Sequence, residues 1–488
     1  MLYNSFTFML FFLLVLLAYH LFAMPRGGKA PAVVLLAASV YFYAQYSLMF
    51  FGLLLLSIVV SWFVCKRLVA EPARKKLWLW IGVALNVVSL GYFKYYIFIA
   101  HNLKALGLSV PLFAIALPLG ISFYTFQQLA YIIDTYKSGE SKESFFDYLL
   151  FITYFPRLIS GPIVRREEIT HYFAEPEKNT ALCLKAGLTL FVIGMAKKLL
   201  VADGFALYAD AVFNAADAGK LVTTFEAWAG SLAYTIQIYF DFSGYSDMAI
   251  GVSAMLGIPL PVNFASPYKA LNVVDFWRRW HISLSRWLRD YIYIPLGGNR
   301  CAPWRRYFNA FITMVIGGIW HGANWTFILW GAMHGFFQMI YQLWSSNPRN
   351  RERIPDNVAI ILTFLIINLT WIPFRATTFG GAMGILQACF RPVAGFGETI
   401  ADPFAVVVYL IIGWLAVRFA PNSNEIMAKV IKLTPAKGYP ATAPDAPSGP
   451  FAFMHWSGNA AWAVTTGVVF AVCIMRFFSN ATYIYFQF

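Results

Sequence analysis

Long uninterrupted apolar runs, separated by short polar or basic turns, set the pattern of this chain. They cover 5–24, 31–47, 48–65, 77–100, 112–133, 181–201, 226–256, 306–319, 325–345, 357–374, 404–420 and 460–478. A helix needs ~20 apolar residues to cross a hydrocarbon core, and most of these runs approach that length. Lipid offers no hydrogen bonds, so each segment must satisfy its own backbone, which a helix does. Strands of a membrane barrel alternate apolar and polar positions, and these runs do not. The pattern predicts an all-α, polytopic membrane protein with about 11–12 crossings plus re-entrant or amphipathic helices. The run 226–256 carries Asp241 and Asp247 and is open to a break near them.

Composition agrees. The chain has 488 residues, 59% hydrophobic and only 12% charged, with a mean hydropathy of +0.61. Soluble chains carry about a quarter charged residues, so lipid must solvate most of this surface. The net charge of +14 sits largely in short loops, such as Lys66–Arg67, Arg74–Lys76 and Arg349–Arg353. That distribution reads as orientation by basic cytoplasmic loops rather than as a nucleic-acid surface. The Arg26/Lys29 hairpin and the Lys66–Lys76 loop are then cytoplasmic, and both termini lie outside. The start, Met1–Asn4 followed by apolar residues to about Ala23, reads as a first span rather than a removed signal peptide. Five scattered cysteines show no CxxC and no metal spacing, so neither a disulfide framework nor a zinc site is expected. The organisation expected is a membrane core over 1–375, further membrane segments over 376–420, a flexible cytoplasmic loop over 421–459, and a last span with an external aromatic tail over 460–488.

Three regions sit poorly as plain spans. Residues 145–166 contain Pro156, Gly161 and Pro162; 239–251 contain two aspartates; 275–300 are strongly basic. Irregular or charged backbone is tolerated at membrane depth only around protein or a wet cavity. The middle of the chain should therefore build a polar cavity.

Chemistry concentrates there. As one helix, Asp275–Arg300 would place Trp277, His281, Leu284, Leu288 and Tyr291 on one face and Arg279, Arg286 and Arg289 on another, with Arg278 alongside. This is either an interfacial helix meeting lipid headgroups or an entrance for a phosphate-bearing donor. In GGIWHGANW, His321 lies between Trp320 and Asn324 at a glycine-rich helix end. A neutral imidazole there could take a proton from a hydroxyl, or simply pack between helices. His281 is a candidate second site residue, whereas His334 reads as structural. Asp241 and Asp247 could line the cavity, orient a histidine or cap a broken helix. No GxSxG, Walker or GxGxxG pattern is present.

FWRRWHISLSRWLRDYIYIPLGGNR, GGIWHGANW, YFDFSGYSDMAIG, YFPRLISGPIVRR and LPLGISFYTFQQLAYIIDTY together resemble the alginate O-acetyltransferase branch of the membrane-bound O-acyltransferase family. The resemblance covers most of the chain and is densest from Leu117 to His334. It implies a ring of tilted helices around a funnel, with His321 at the family's histidine position and His281 at the upstream partner position. It also implies no permanently bound cofactor, cytoplasmic acetyl-CoA as donor, and a bacterial inner-membrane location. A periplasmic or membrane-anchored Ser-His-Asp partner would pass acetyl to alginate, cellulose, peptidoglycan or another exported glycan. Arg278, Arg279, Trp320, Asn324 and Asp241 are the expected substrate-binding residues. The tail, Tyr483 to Phe488, resembles a hexapeptide of this branch that reads like FIYFRF, with two positions changed. By that resemblance Tyr485 carries the acyl group as a phenyl ester. Two other classes compete. A transporter or flippase for a lipid-linked precursor would want paired charges along a path and inverted repeats, which are not evident. A non-catalytic scaffold would have no need of intact histidines.

Overall fold

Small polar residues start the apolar helices. Ser5, Ser47 and Asn459 accept from Phe8, Phe50 and Trp462 backbone N–H groups at 3.2, 3.3 and 3.0 Å. Each bond satisfies one of the donors that a helix start leaves open. The computed structural model describes residues 1–351, 353–428, 446–477 and 483–484. Among these the regular elements are helices, with no strand. Four helical stretches are long and apolar enough to cross a membrane: Phe6–Arg26, Leu48–Ala70, Pro72–Ala105 and Asp356–Arg375. Shorter apolar helices are Ala30–Ala44, Phe379–Phe390, Pro403–Phe419 and Ala460–Met475. Their outward faces carry exposed Leu10, Leu14, Trp80, Val88, Ile412 and Val464. In water such a surface would aggregate; lipid accepts it.

The core is built around Thr224–Met255, a 32-residue helix about 48 Å long. It runs unbroken through Asp241 and Asp247. The break that the aspartates left open is unnecessary, because Lys197 and Lys198 meet their carboxylates at 2.6 Å each. Both lysines sit in a π-helical turn, Lys197–Ala202. Two of the four π-helical turns in the described residues carry lysines that point into the protein: Lys94, and the Lys197/Lys198 pair. The wider turn re-aims these side chains into the protein.

The Asp275–Arg300 stretch departs from the single amphipathic helix that its periodicity predicts. Two short helices, Val273–Arg279 and Ile282–Leu288, meet at an extended Trp280 and at His281, whose φ is 42°. The segment 263–265 satisfies the interrupted backbone: Ala265 N–H donates to Arg279 O at 2.9 Å and Ile282 N–H to Asn263 O at 3.0 Å. Trp277, His281, Leu284, Leu288 and Tyr291 are all buried. This stretch is a core element rather than an interfacial helix. The run 112–133 likewise becomes helical only from Ile121, after Gly120 at φ 70°. The flanks of 421–459 pack inward, with Trp456 N–H donating to Ile426 O at 3.0 Å.

Small residues set the closest helix contacts. A Cβ on Gly251 would lie 2.6 Å from Gly187 O and 2.7 Å from Phe191 N. Neither backbone atom can swing away. Gly251→Ala is expected to destabilise the fold by ~1–3 kcal/mol. Gly52, exposed with open space beside it, is the control. Thermal unfolding of the detergent-solubilised protein should show a lowered midpoint for Gly251→Ala and none for Gly52→Ala.

Candidate active site

Pro303–His321 and Trp325–Trp344 form a hairpin. A Cβ on Gly331 would lie 2.5 Å from Met314 O, and one on Gly318 would strike Phe327 O. The two backbones therefore touch and hold the turn rigid. His321 is the last residue of the first helix, and Gly322 is extended, with the Phe327 ring where its Cβ would be. Asn324 caps the second helix through Thr326 N–H at 3.2 Å and donates to Thr377 O at 2.8 Å. It braces the turn.

The His321 ring is walled by Trp320, Trp330 and Phe374, at centroid distances of 4.9, 4.9 and 5.1 Å. One side faces a cavity of about 210 Å³, lined also by Lys94, Gly120, Ser122, Phe123 and Trp320. That volume admits a small acyl group and a hydroxyl but no nucleotide. Lys94 and Ser122 were missed in the sequence. The available signal was a lysine inside the apolar run 77–100, since ionisable residues at membrane depth are rarely idle.

His281 is fully buried and strained by its left-handed backbone, a conformation that concentrates at functional positions. Its Nδ1 lies 3.2 Å from Asn263 Oδ1. The same oxygen accepts from the Ser283 backbone N–H at 3.2 Å and from Ser283 Oγ at 2.9 Å. A backbone N–H can only donate, so the oxygen assignment holds and Nδ1 carries the proton. Nε2 is left with its lone pair. His334 takes the opposite tautomer: Trp277 Nε1 donates to its Nδ1 at 3.2 Å. Both histidines lie within electrostatic reach of His321.

A second opening, of about 440 Å³, is lined by Lys137, Arg165, Arg286, Arg289, Asp290 and Tyr291 among others. Most of its charges are paired. Arg165 bonds Asp290, Arg286 meets Glu168 at 2.7 Å, and Tyr291 Oη donates to Asp134 at 2.6 Å. This cleft and the His321 cavity lie toward opposite ends of the 18-residue helix Ile121–Ser138, about 20 Å apart along its axis. Between them stand three rings. Trp287 stacks on Phe126 at 3.6 Å, and Phe126 on Trp320 at 5.0 Å.

The other expected site residues lie elsewhere. Arg278 is exposed, and Arg279 pairs with Asp275 at 3.0 Å; neither lines either opening. Asp241 is buried against Lys198 and accepts from Ile484 N–H at 3.1 Å. Tyr485 lies outside the described residues.

The model of the MBOAT, membrane-bound O-acyltransferase family, matches residues 29–373. The chain belongs to this family. As a membrane-bound O-acyltransferase it is an acyltransferase and a polytopic membrane protein. A peptidoglycan O-acetyltransferase of Helicobacter pylori is 40% identical over 424 residues, covering 79% of each chain. A probable alginate O-acetylase of Pseudomonas aeruginosa is 39% identical over 399 residues, 80% of this chain and 75% of that one. A teichoic acid D-alanyltransferase of Bacillus subtilis is 30% identical over 279 residues, 54% of this chain and 68% of the relative. The family match contains His281, His321, Lys94 and both openings, but ends before the tail.

Proposed function

We propose that this membrane-bound O-acyltransferase takes acetyl from cytoplasmic acetyl-CoA and passes it across a bacterial inner membrane, by way of a partner acetyltransferase, to an exported polysaccharide. The observation that carries this reading is the pair of openings at opposite ends of one helix, with His321 on the smaller one. In the orientation that the basic loops favour, the arginine-lined cleft faces the cytoplasm and the His321 cavity faces outward. Coenzyme A is large and charged and cannot cross lipid, whereas an acetyl group fits a narrow pore. The names of the relatives, peptidoglycan and alginate O-acetylation among them, favour a cell-envelope glycan as the final acceptor.

In the proposed chemistry the flexible arm of the donor reaches from the cleft toward His321, and a hydroxyl oxygen there attacks the thioester carbonyl. His321 takes the hydroxyl proton, the C–S bond breaks, and the coenzyme A thiolate leaves and is protonated. A phenol has a pKa of ~10 and needs such a base at neutral pH. Tyr485 is the proposed first acceptor; its phenyl ester stays activated for the next transfer. Burial of Tyr483 and Ile484, at 1% and 3% exposure, supports a tail that enters the bundle. The Ile484 N–H on Asp241 is the polar anchor.

The test is acetyl-CoA cleavage by the purified protein. Wild type is expected to release free coenzyme A and to retain labelled acetyl on its C-terminal peptide. Tyr485→Phe, which removes one oxygen, is expected to abolish both the labelled peptide and sustained transfer to the partner. Undiminished transfer by Tyr485→Phe would refute the relay.

A further inference from the structure

Lys94 enters the His321 cavity from the π-helical turn Gly91–Tyr95. Its ammonium donates to the carbonyls of Trp320 at 2.7 Å and His321 at 3.0 Å, and to Ser122 Oγ at 3.2 Å. A lysine has three N–H donors, and all three are used. Among the described residues it forms no ion pair with a carboxylate. The two carbonyls are the last of the Pro303–His321 helix, where the chain has run out of intrahelical donors and the helix dipole is negative. A cation there closes the helix end and cancels that partial charge. No Schellman turn does the job, because Gly322 is extended.

We infer that Lys94 is the positioning residue of this acyltransferase: it locks the end of the helix that bears His321 and aims Ser122 into the same cavity. The inference rests on the reading of His321 as the base. With its three donors committed, the ammonium is not the group that stabilises the developing oxyanion. It acts through the residues it holds. Ser122 Oγ accepts from the cation, so its own proton turns away from Lys94, and a hydroxyl that accepts from a cation is a stronger donor. The wall of the cavity thus has a fixed base on one side and a fixed O–H donor on the other. Without Lys94 the last turn would fray, and His321 would lose its register with the bound acyl carbon.

The experiment compares wild type and Lys94→Met in detergent, with acetyl-CoA as the probe and three readouts. Coenzyme A release should show kcat lowered at least ~100-fold, the cost of a small misplacement of a catalytic group. KM for acetyl-CoA should stay within ~3-fold, since the donor cleft lies at the other end of the helix. The thermal midpoint should hold. Independently of any donor, diethylpyrocarbonate modification of His321, read by mass spectrometry against exposed His171, should speed up at least ~5-fold as the helix end, no longer held by the ammonium, frays. Wild-type kcat in Lys94→Met overturns the inference, as does a collapsed thermal midpoint, which would make the lysine merely structural. If wild type itself cleaves no acetyl-CoA, the proposed function falls. The modification rate then decides Lys94 alone, and an unchanged rate sinks it.

Discussion

Alanine in place of His321 is expected to lower acetyl-CoA turnover by ~10²–10⁴-fold, the usual contribution of a positioned general base. The ring is 7% exposed and its one open side faces the cavity, so another base has little room to substitute. Alanine also leaves a hole among Trp320, Trp330 and Phe374. His321→Gln separates the two effects, because it keeps most of the volume and a polar end but removes the base. Both variants should lose turnover alike, whereas only His321→Ala should unfold at lower temperature. Turnover by His321→Gln within a few-fold of wild type would remove His321 from the chemistry.

The largest expected effect on stability is at Lys198. This lysine is 2% exposed and bridges Asp241 at 2.6 Å and Asp203 at 2.9 Å. Removing one partner of a buried ion pair costs ~3–5 kcal/mol, because the remaining charge stays desolvated. Here Lys198→Ala leaves two carboxylates facing each other. The double variant Lys198→Met/Asp241→Asn removes one charge of each sign and should recover much of the loss. Thermal unfolding of the three proteins measures this directly. Asp241 also accepts from Ile484, and the Tyr483 ring lies 4.8 Å from the lysine nitrogen. Lys198→Ala should therefore loosen the tail and quicken carboxypeptidase trimming. Equal trimming in wild type and variant would separate the charge cluster from the tail.

Particular residues show how far the sequence could be read. His321 was legible because glycines and Asn324 bracket it in a helix-ending pattern. His281 was legible as a candidate, but its setting was not. The apolar spacing of Asp275–Arg300 fits a continuous helix, and only the Asn263–Ala265 segment, remote in the chain, supplies the bonds that let it break. The four arginines of the basic face read as one entrance, with Arg278 and Arg279 the expected substrate contacts, yet the cleft is lined by Arg286 and Arg289. All four are arginines of one stretch, and the break at His281 sends the two pairs in different directions. Asp241 was legible as a buried polar oddity. Its partner Lys198 was not, since the pairing spans 43 positions.

The chain by itself determined the solvent, the helical class and the stretches that carry chemistry. Those follow from local quantities: the length of an apolar run, the obligation to satisfy backbone bonds in lipid, and the conformations open to glycine. Tertiary structure alone decided which polar groups meet. Lys94 reaches the His321 helix end across 226 positions, and the aromatic stack takes Phe126, Trp287 and Trp320 from three separate elements. Hydropathy records which residues leave water; it carries no information about which neighbours they find, because burial is non-directional and hydrogen bonds are not.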